Sequence, residues 1–150
     1  MGFFDGYNVA TSGMSAQRTR INMVSSNIAN AQTTHTTDGG PYKKQNVVFE
    51  EILLDSTKEK AKKHLSDNID DLSLKGVGVK EIIDSKDKPI LKYEPEHPDA
   101  NKDGYVAYPN INPVIEMVDL MEAMRSYEAN VSAFKTQKTM DTQTLDIIRM

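Results

Sequence analysis

The chain carries two apolar stripes with a seven-residue period, one at each end, and is polar and irregular between them. Toward the start, Tyr7, Ala10, Met14, Gln17, Ile21, Val24, Ile28 and Ala31 follow in alternating steps of three and four. Toward the end, Met117, Leu120, Met124, Tyr127, Val131, Phe134, Lys138, Asp141, Leu145 and Ile148 do the same. A mean spacing of about 3.5 residues is the period of helices that wind around a partner. Stripes at opposite termini bury each other when the ends come together, and the middle becomes an insertion. That layout suits a subunit that stacks on others and suits an active-site cleft poorly.

The first stripe predicts a helix from about Phe4 to Ala31, roughly 40 Å long. Gly13 interrupts it at a propensity cost of about 1 kcal/mol, either to admit a neighbouring backbone or as a hinge. The β-branched run from Thr33 to Thr37 and the breaker Asp38-Gly39-Gly40-Pro41 end it. Asn112-Pro113 opens the last helix, with Asn as N-cap and Pro at the first helical position. Glu116 favours that end of the helix dipole. This helix is expected to reach about Ile148, roughly 50 Å. Between the helices, Gln45–Leu54, Gly76–Ile83, Ile90–Tyr93 and Tyr105–Tyr108 read as strands, the second and third joined as a hairpin through Ser85–Pro89. Ser56–Ser73 is charged and has few apolar groups to bury, so it reads as an exposed loop. The expected fold is therefore mainly α with a small inserted β segment. Residues 1–35 and 109–150 form a terminal-helix coiled-coil domain. Residues 36–108 are an inserted loop and β region that includes a charged, flexible loop at 55–75.

Composition narrows the function. Hydrophobic residues are 38% of the chain and mean hydropathy is −0.54, thin for an isolated globule, so assembly is expected to supply the missing burial. A net charge of −4 offers no basic field for nucleic acid. There is no Cys, so neither disulfides nor thiolate metal sites can form. No stretch approaches the ~18 consecutive apolar residues of a membrane span. Met1-Gly2-Phe3-Phe4-Asp5-Gly6 has neither a basic nor an apolar signal region, and Gly6 stands where myristoylation wants Ser or Thr. Export, if it occurs, is expected to read an uncleaved N-terminus.

Candidate chemistry is sparse. Asp99, Asn101, Asp103 and Gly104 imitate the opening of a calcium loop, but Asn110 stands where the bidentate Glu belongs. The expected reading is a polar turn with a left-handed Gly. His35, His64 and His97 have no ligand spacing to one another. With no nucleophile elbow, phosphate loop or paired carboxylates, no enzyme and no cofactor are expected. Met117, Met121 and Met124 read as seam packing rather than a promiscuous groove. Lys138 and Asp141 are polar within the stripe. Either they are a solvated gap or they fix register and partner, and Gln17 on the first helix is a possible counterpart.

Several blocks resemble the bacterial flagellar basal-body rod proteins. Thr11-Ser12-Gly13-Met14-Ser15-Ala16-Gln17-Arg18 and Ser26-Asn27-Ile28-Ala29-Asn30-Ala31-Gln32-Thr33-Thr34 are similar to the N-terminal signature shared by rod and hook axial proteins. Gly39-Gly40-Pro41-Tyr42-Lys43-Lys44-Gln45-Asn46-Val47-Val48-Phe49, His97-Pro98-Asp99-Ala100-Asn101-Lys102-Asp103-Gly104-Tyr105-Val106 and the run from Pro109 to Val131 resemble proximal-rod members in particular. The stretch from about Asp55 to Leu74 departs from the pattern, being longer and more charged. The resemblance implies a structural subunit of the rod that crosses the periplasm and transmits torque for motility. It implies export by the flagellar type III apparatus. It also implies as neighbours further copies, the rod proteins FlgB, FlgF and FlgG, the adaptor FliE and the MS-ring protein FliF. The expected assembly interface is Met14, Gln17, Ile21, Val24, Asn27, Ile28 and Asn30 on the first helix. On the last it is Met117, Leu120, Met124, Tyr127, Val131, Phe134, Lys138, Asp141, Leu145 and Ile148. The competing reading is a soluble coiled-coil adaptor or secretion chaperone that binds a partner helix. The blocks at Gly39 and His97 speak against it, because an adaptor has no reason to share them.

Overall fold

Both termini fold as the long helices that the stripes predict. The computed structural model describes residues 4–37, 39–54 and 75–149. In chain order its elements are α1 (Asp5–Ala29), β1 (Gln45–Leu53), β2 (Lys75–Asp84), β3 (Ile90–Tyr93), β4 (Tyr105–Tyr108) and α2 (Pro113–Arg149). The start of α2 follows from its cap. The Asn112 side-chain oxygen accepts from the Val114 N–H at 3.0 Å, and the Asn112 carbonyl accepts the first intrahelical bond from Glu116. The end of α1 is closed by Asn30. Its backbone and side-chain N–H groups both donate to the Ser26 carbonyl, and its side-chain oxygen accepts from the Thr33 hydroxyl. The Ala31 and Thr33 N–H groups donate to the Ile28 and Asn30 carbonyls, which a helix terminus otherwise leaves open.

The architecture is more mixed than a mainly α chain. Helices make up about half of the described residues, and the rest includes two separate two-stranded antiparallel sheets. The expected hairpin between residues 76–83 and 90–93 does not form. β2 pairs instead with β1 along nine residues, from Gln45 opposite Asp84 to Leu53 opposite Lys75, with a bulge between Val48 and Phe49. β3 pairs with β4. The reason lies at Ser85. Its N–H extends the β1–β2 ladder to the Lys44 carbonyl, and its hydroxyl then turns the chain out of the ladder through bonds with Asp87. Pro89 follows without a donor to carry the pairing on. The charged loop expected at 55–75, with His64, lies outside the described residues except for Lys75, which opens β2.

The β1–β2 ribbon packs on one side of α1. The Val77 N–H donates to the Ser12 hydroxyl at 3.2 Å, and Gly76 sits so close that a Cβ there would stand 2.7 Å from the Ser12 oxygen. Val106 on β4 is fully buried, and the Thr34 hydroxyl donates to Asp99 in the loop between β3 and β4. Between β3 and β4, Gly104 takes φ +80°, the left-handed conformation expected of this turn. Asn101 is its hub: its side-chain oxygen accepts from the N–H groups of Asp103 and Tyr105.

Candidate assembly surface

α1 and α2 pack antiparallel along most of the length of α1. The contacts fix the register at four places. Gly6 lies against Gln137, Gly13 against Asn130, Arg20 between Asp119 and Glu122, and Asn27 against Glu116. Each step of seven along α1 matches a step of seven back along α2. The second inner row of α1 holds Ala10 and Val24, both buried, and Gln17. Its counterparts on α2 are Leu120, Tyr127, Phe134 and Asp141, all partly buried. Ala123, fully buried, completes the row that contains Glu116.

One of the two inner rows on each helix is therefore small or polar. Small residues let the helices approach closely. A Cβ added to Gly13 would stand 3.0 Å from the Asn130 side-chain amide. α1 runs through Gly13 without a break, so the residue serves close approach and not a hinge.

At one end of the pair, Asn27 and Glu116, each 1% exposed, form a polar cluster. The Asn27 amide nitrogen donates to the Gln45 carbonyl at 2.9 Å and to Glu116 Oε2 at 3.2 Å. The Asn27 oxygen accepts from the Tyr42 hydroxyl and the Gln45 N–H, both at 3.0 Å. Lys44 Nζ lies 2.6 Å from the other Glu116 oxygen. Every hydrogen-bonding position of Asn27 is used. The cluster joins the end of α1, the start of β1 and the first turn of α2. Burying these groups is tolerable only because they are paired. Beside it, a cavity of about 330 Å³ is lined by Arg20, Met23, Phe49 and Asp119 among others. The sequence pointed to Asn27 only through its motif, and to Glu116 only as a dipole residue. Two isolated polar residues 89 apart carry no signal that they meet.

At the other end, the Tyr7 hydroxyl donates to Asp141 at 2.6 Å, and the Tyr7 ring packs edge-on against Phe134 with centroids 4.9 Å apart. The hydrogen bond to Asp141, aided by desolvation and the carboxylate charge, pushes the Tyr7 phenol up to about 12. In the outer hairpin, the bond from Tyr108 to Glu94 likewise raises the Tyr108 phenol. Asp141 thus finds its partner in Tyr7 and in Gln137. Gln17 does not answer it; the Gln17 oxygen is buried with no hydrogen-bond partner among the described residues.

The remaining stripe positions flank the helix contact. Met14, Ile21 and Ile28 are partly buried, and so is Val131. Met117 and Met124 are 51% and 47% exposed, and Lys138 is exposed. Beyond Asp141, α2 continues past the start of α1. Leu145 and Ile148 there are exposed, as are Ile147 and the nearby Met140. Among the described residues no cluster of His, Asp or Glu is arranged to hold a metal ion, and no helix is long and apolar enough to cross a membrane.

Two family models match the chain, one over most of α1 and the loop after it and the other over β4 and most of α2. The model described as flagella basal body rod protein matches residues 8–34. The model described as flagellar basal body rod FlgEFG protein C-terminal matches residues 102–147. Full-length relatives agree. The chain is 40% identical to flagellar basal-body rod protein FlgC of Borreliella burgdorferi (strain B31), over 99% of each chain. It is 38% identical to the FlgC of Aquifex aeolicus over 97% of each, and 36% identical to that of Salmonella typhimurium over 98% of each.

Proposed function

The chain belongs to the FlgC family of flagellar basal-body rod proteins, and from that membership we propose how its geometry serves the rod. It is a structural subunit of the rod at the flagellar basal body, and it assembles with other rod proteins. The observation that carries the reading is the end-to-end similarity together with the meeting of the matched termini in one antiparallel pair.

In this reading α1 and α2 wind as a coiled coil and form the inner, axial part of the subunit, residues 1–35 and 109–150. The insertion at 36–108 faces outward. A rod is an open helical assembly, so each subunit presents unlike patches to its neighbours above and below. A shaft under torque needs contacts that do not slide. The cluster at Asn27 and Glu116 supplies one such lock, because a shift of α2 by one helical turn would part Glu116 from Lys44 and Asn27 and leave one Asn27 donor without its partner. The rod crosses the periplasm, and the subunit reaches it through the flagellar type III apparatus on an uncleaved N-terminus. Its partners are further copies, FlgB, FlgF and FlgG, with FliE and FliF at the base. Its role needs no cofactor and no catalysis.

Fractionation tests the reading. The subunit should copurify with detergent-extracted basal bodies, and cells lacking it should fail to spread in soft agar. A chain confined to the cytosol beside intact basal bodies would instead support the adaptor reading.

A further inference from the structure

The β1–β2 ribbon has an open edge, and its hydrogen bonds identify the residues on it. Along a strand paired on one side, alternate residues direct their backbone N–H and C=O groups to the partner, and the others direct them away. The Ser85 N–H donates to the Lys44 carbonyl, so the even-numbered residues of β1 face β2. Gln45 faces away. The Asn27 amide meets both of its backbone groups, donating to the carbonyl at 2.9 Å and accepting from the N–H at 3.0 Å. One side-chain amide thus gives Gln45 the pair of bonds that a further strand would give. The same alternation holds beyond the bulge. The Val77 N–H donates to Ser12, so Val77 faces away from β1, and Glu51 opposite it faces away from β2. The outward residues that follow Gln45 are therefore Val47 and Phe49. Their backbone groups have no hydrogen-bond partner among the described residues. Both residues line the cavity of about 330 Å³ beside Asn27, together with Met23 and Val24 of α1.

Resting on the rod reading, we propose that the edge at Val47 and Phe49 is a strand-addition site, and that it receives an extended basic segment of another polypeptide of the basal body. Open backbone groups on every second residue, about 6.6 Å apart, match an extended chain. A helix cannot answer them, because its own backbone groups are already paired. Strand edges are ordinarily guarded by Lys or Pro. The run Gln45-Asn46-Val47-Val48-Phe49 has neither. Farther along the same edge stands Glu51, whose carboxylate pairs with Lys75. The unguarded part is the part at the cavity. Charge sets the character of the segment. Lys44 is taken by Glu116 at 2.6 Å, whereas Asp119 and Glu122 share Arg20 at 3.9 and 3.5 Å. Two carboxylates on one guanidinium leave a negative charge beside the cavity, and a Lys or Arg on the incoming segment is its complement. Met23, Val24 and Phe49 supply the apolar wall for the residue next to that cation.

Val47→Pro removes the outward N–H and leaves the bonds to β2 in place, because proline is tolerated where a strand's N–H points away from its sheet. The purified variant should melt with the parent. Carried as the only copy in the cell, it should enter basal bodies at least about tenfold less well, the loss expected when a bound strand's partner donor is removed. Normal incorporation of the variant would overturn the proposal. A second arm needs no substitution and decides the matter if the variant melts early. In the purified subunit the Val47 amide should exchange its hydrogen fast, and the Asn46 amide, which faces β2, slowly. In isolated basal bodies the Val47 and Phe49 amides should be slowed at least about tenfold. Unchanged exchange there would also overturn the proposal. The segment is identified by replacing Phe49 with p-benzoylphenylalanine, irradiating isolated basal bodies and sequencing the joined peptides. The adduct should fall on a non-helical segment of another polypeptide, with a Lys or Arg within about two residues of the joined position. Adducts confined to this subunit's own chain, or falling on a neighbour's terminal helix, would contradict it. Incorporation of the unsubstituted subunit is scored separately, and its absence from basal bodies would count against the rod reading itself.

Discussion

At the scale of single residues, the molecule depends on a few paired polar groups more than on apolar ones. Among the described residues the buried apolar side chains are few and mostly small, and the largest fully buried side chain is Glu116. Glu116→Ala would leave Lys44 and one Asn27 donor without a partner. Lys44 is partly exposed and can turn to water, so the cost is that of one buried donor left unpaired and a lost ion pair, about 1–3 kcal/mol. The isolated variant is expected to melt at a clearly lower temperature. Glu51→Ala removes an exposed pair with Lys75 and should change stability by less than about 1 kcal/mol. Equal effects would mean that the cluster is not what holds the helices to the ribbon. Tyr7 gives a pH test at the far end. Its phenol is raised to about 12 in the folded state from an ordinary 10. The folded chain therefore holds this proton more tightly than the unfolded one. The resulting stabilisation is complete below pH 10 and drains away as pH rises toward 12. A phenolate titration of the chain minus that of Tyr7→Phe should show one tyrosine ionising near pH 12. A difference curve centred at 10 would mean that Tyr7 does not hold Asp141.

At the scale of elements, the helices were legible in the sequence and their inner faces only half so. Counting apolar residues finds the rows Ala10–Gln17–Val24 and Leu120–Tyr127–Phe134–Asp141, which do face inward. It passes over Gly6, Gly13, Arg20 and Asn27, and Glu116, Ala123, Asn130 and Gln137. Small and polar residues have no place in an apolar stripe, yet close approach and hydrogen bonding put them inside. The adjacent rows of Met14, Ile21, Met117 and Met124 look like the seam because they are apolar, and they flank it. The strands were legible singly, because β-branched runs are local. Their pairing was not, since β1 and β2 are joined through residues whose apolar content says nothing about return. Gly13 tests the element directly. Gly13→Ala gains up to about 1 kcal/mol of helix propensity and crowds one flexible amide, so it should be near neutral in thermal melting. Gly13→Leu must push α2 away and should lower the melting temperature well below that of the alanine variant. A leucine variant as stable as the alanine one would show that the helices do not meet closely at Asn130.

At the scale of the whole molecule, the rod reading implies a subunit whose burial is completed by its neighbours. Exposed apolar residues run along α2 from Val114 to Met124 and again from Met140 to Ile148. A core this thin leaves little margin against roughly 1–2 kcal/mol of backbone entropy per residue. The free subunit should therefore exchange its amide hydrogens quickly over residues 140–149, where α2 has passed α1, and more slowly around Asn27 and Glu116. Incorporation into basal bodies should slow exchange along both helices. Equal exchange in the two states would mean that assembly adds no order.

The central claim is that the two terminal helices of one subunit pair antiparallel and form its part of the rod's inner layer. A density map of the intact basal body, at a resolution that traces this chain, tests it most directly. The account predicts Asn27 against Glu116 and Tyr7 against Asp141 within one subunit, with residues 36–108 outside. A map in which the two helices of a subunit lie in separate layers, or in which the β segment lines the axis, would contradict it.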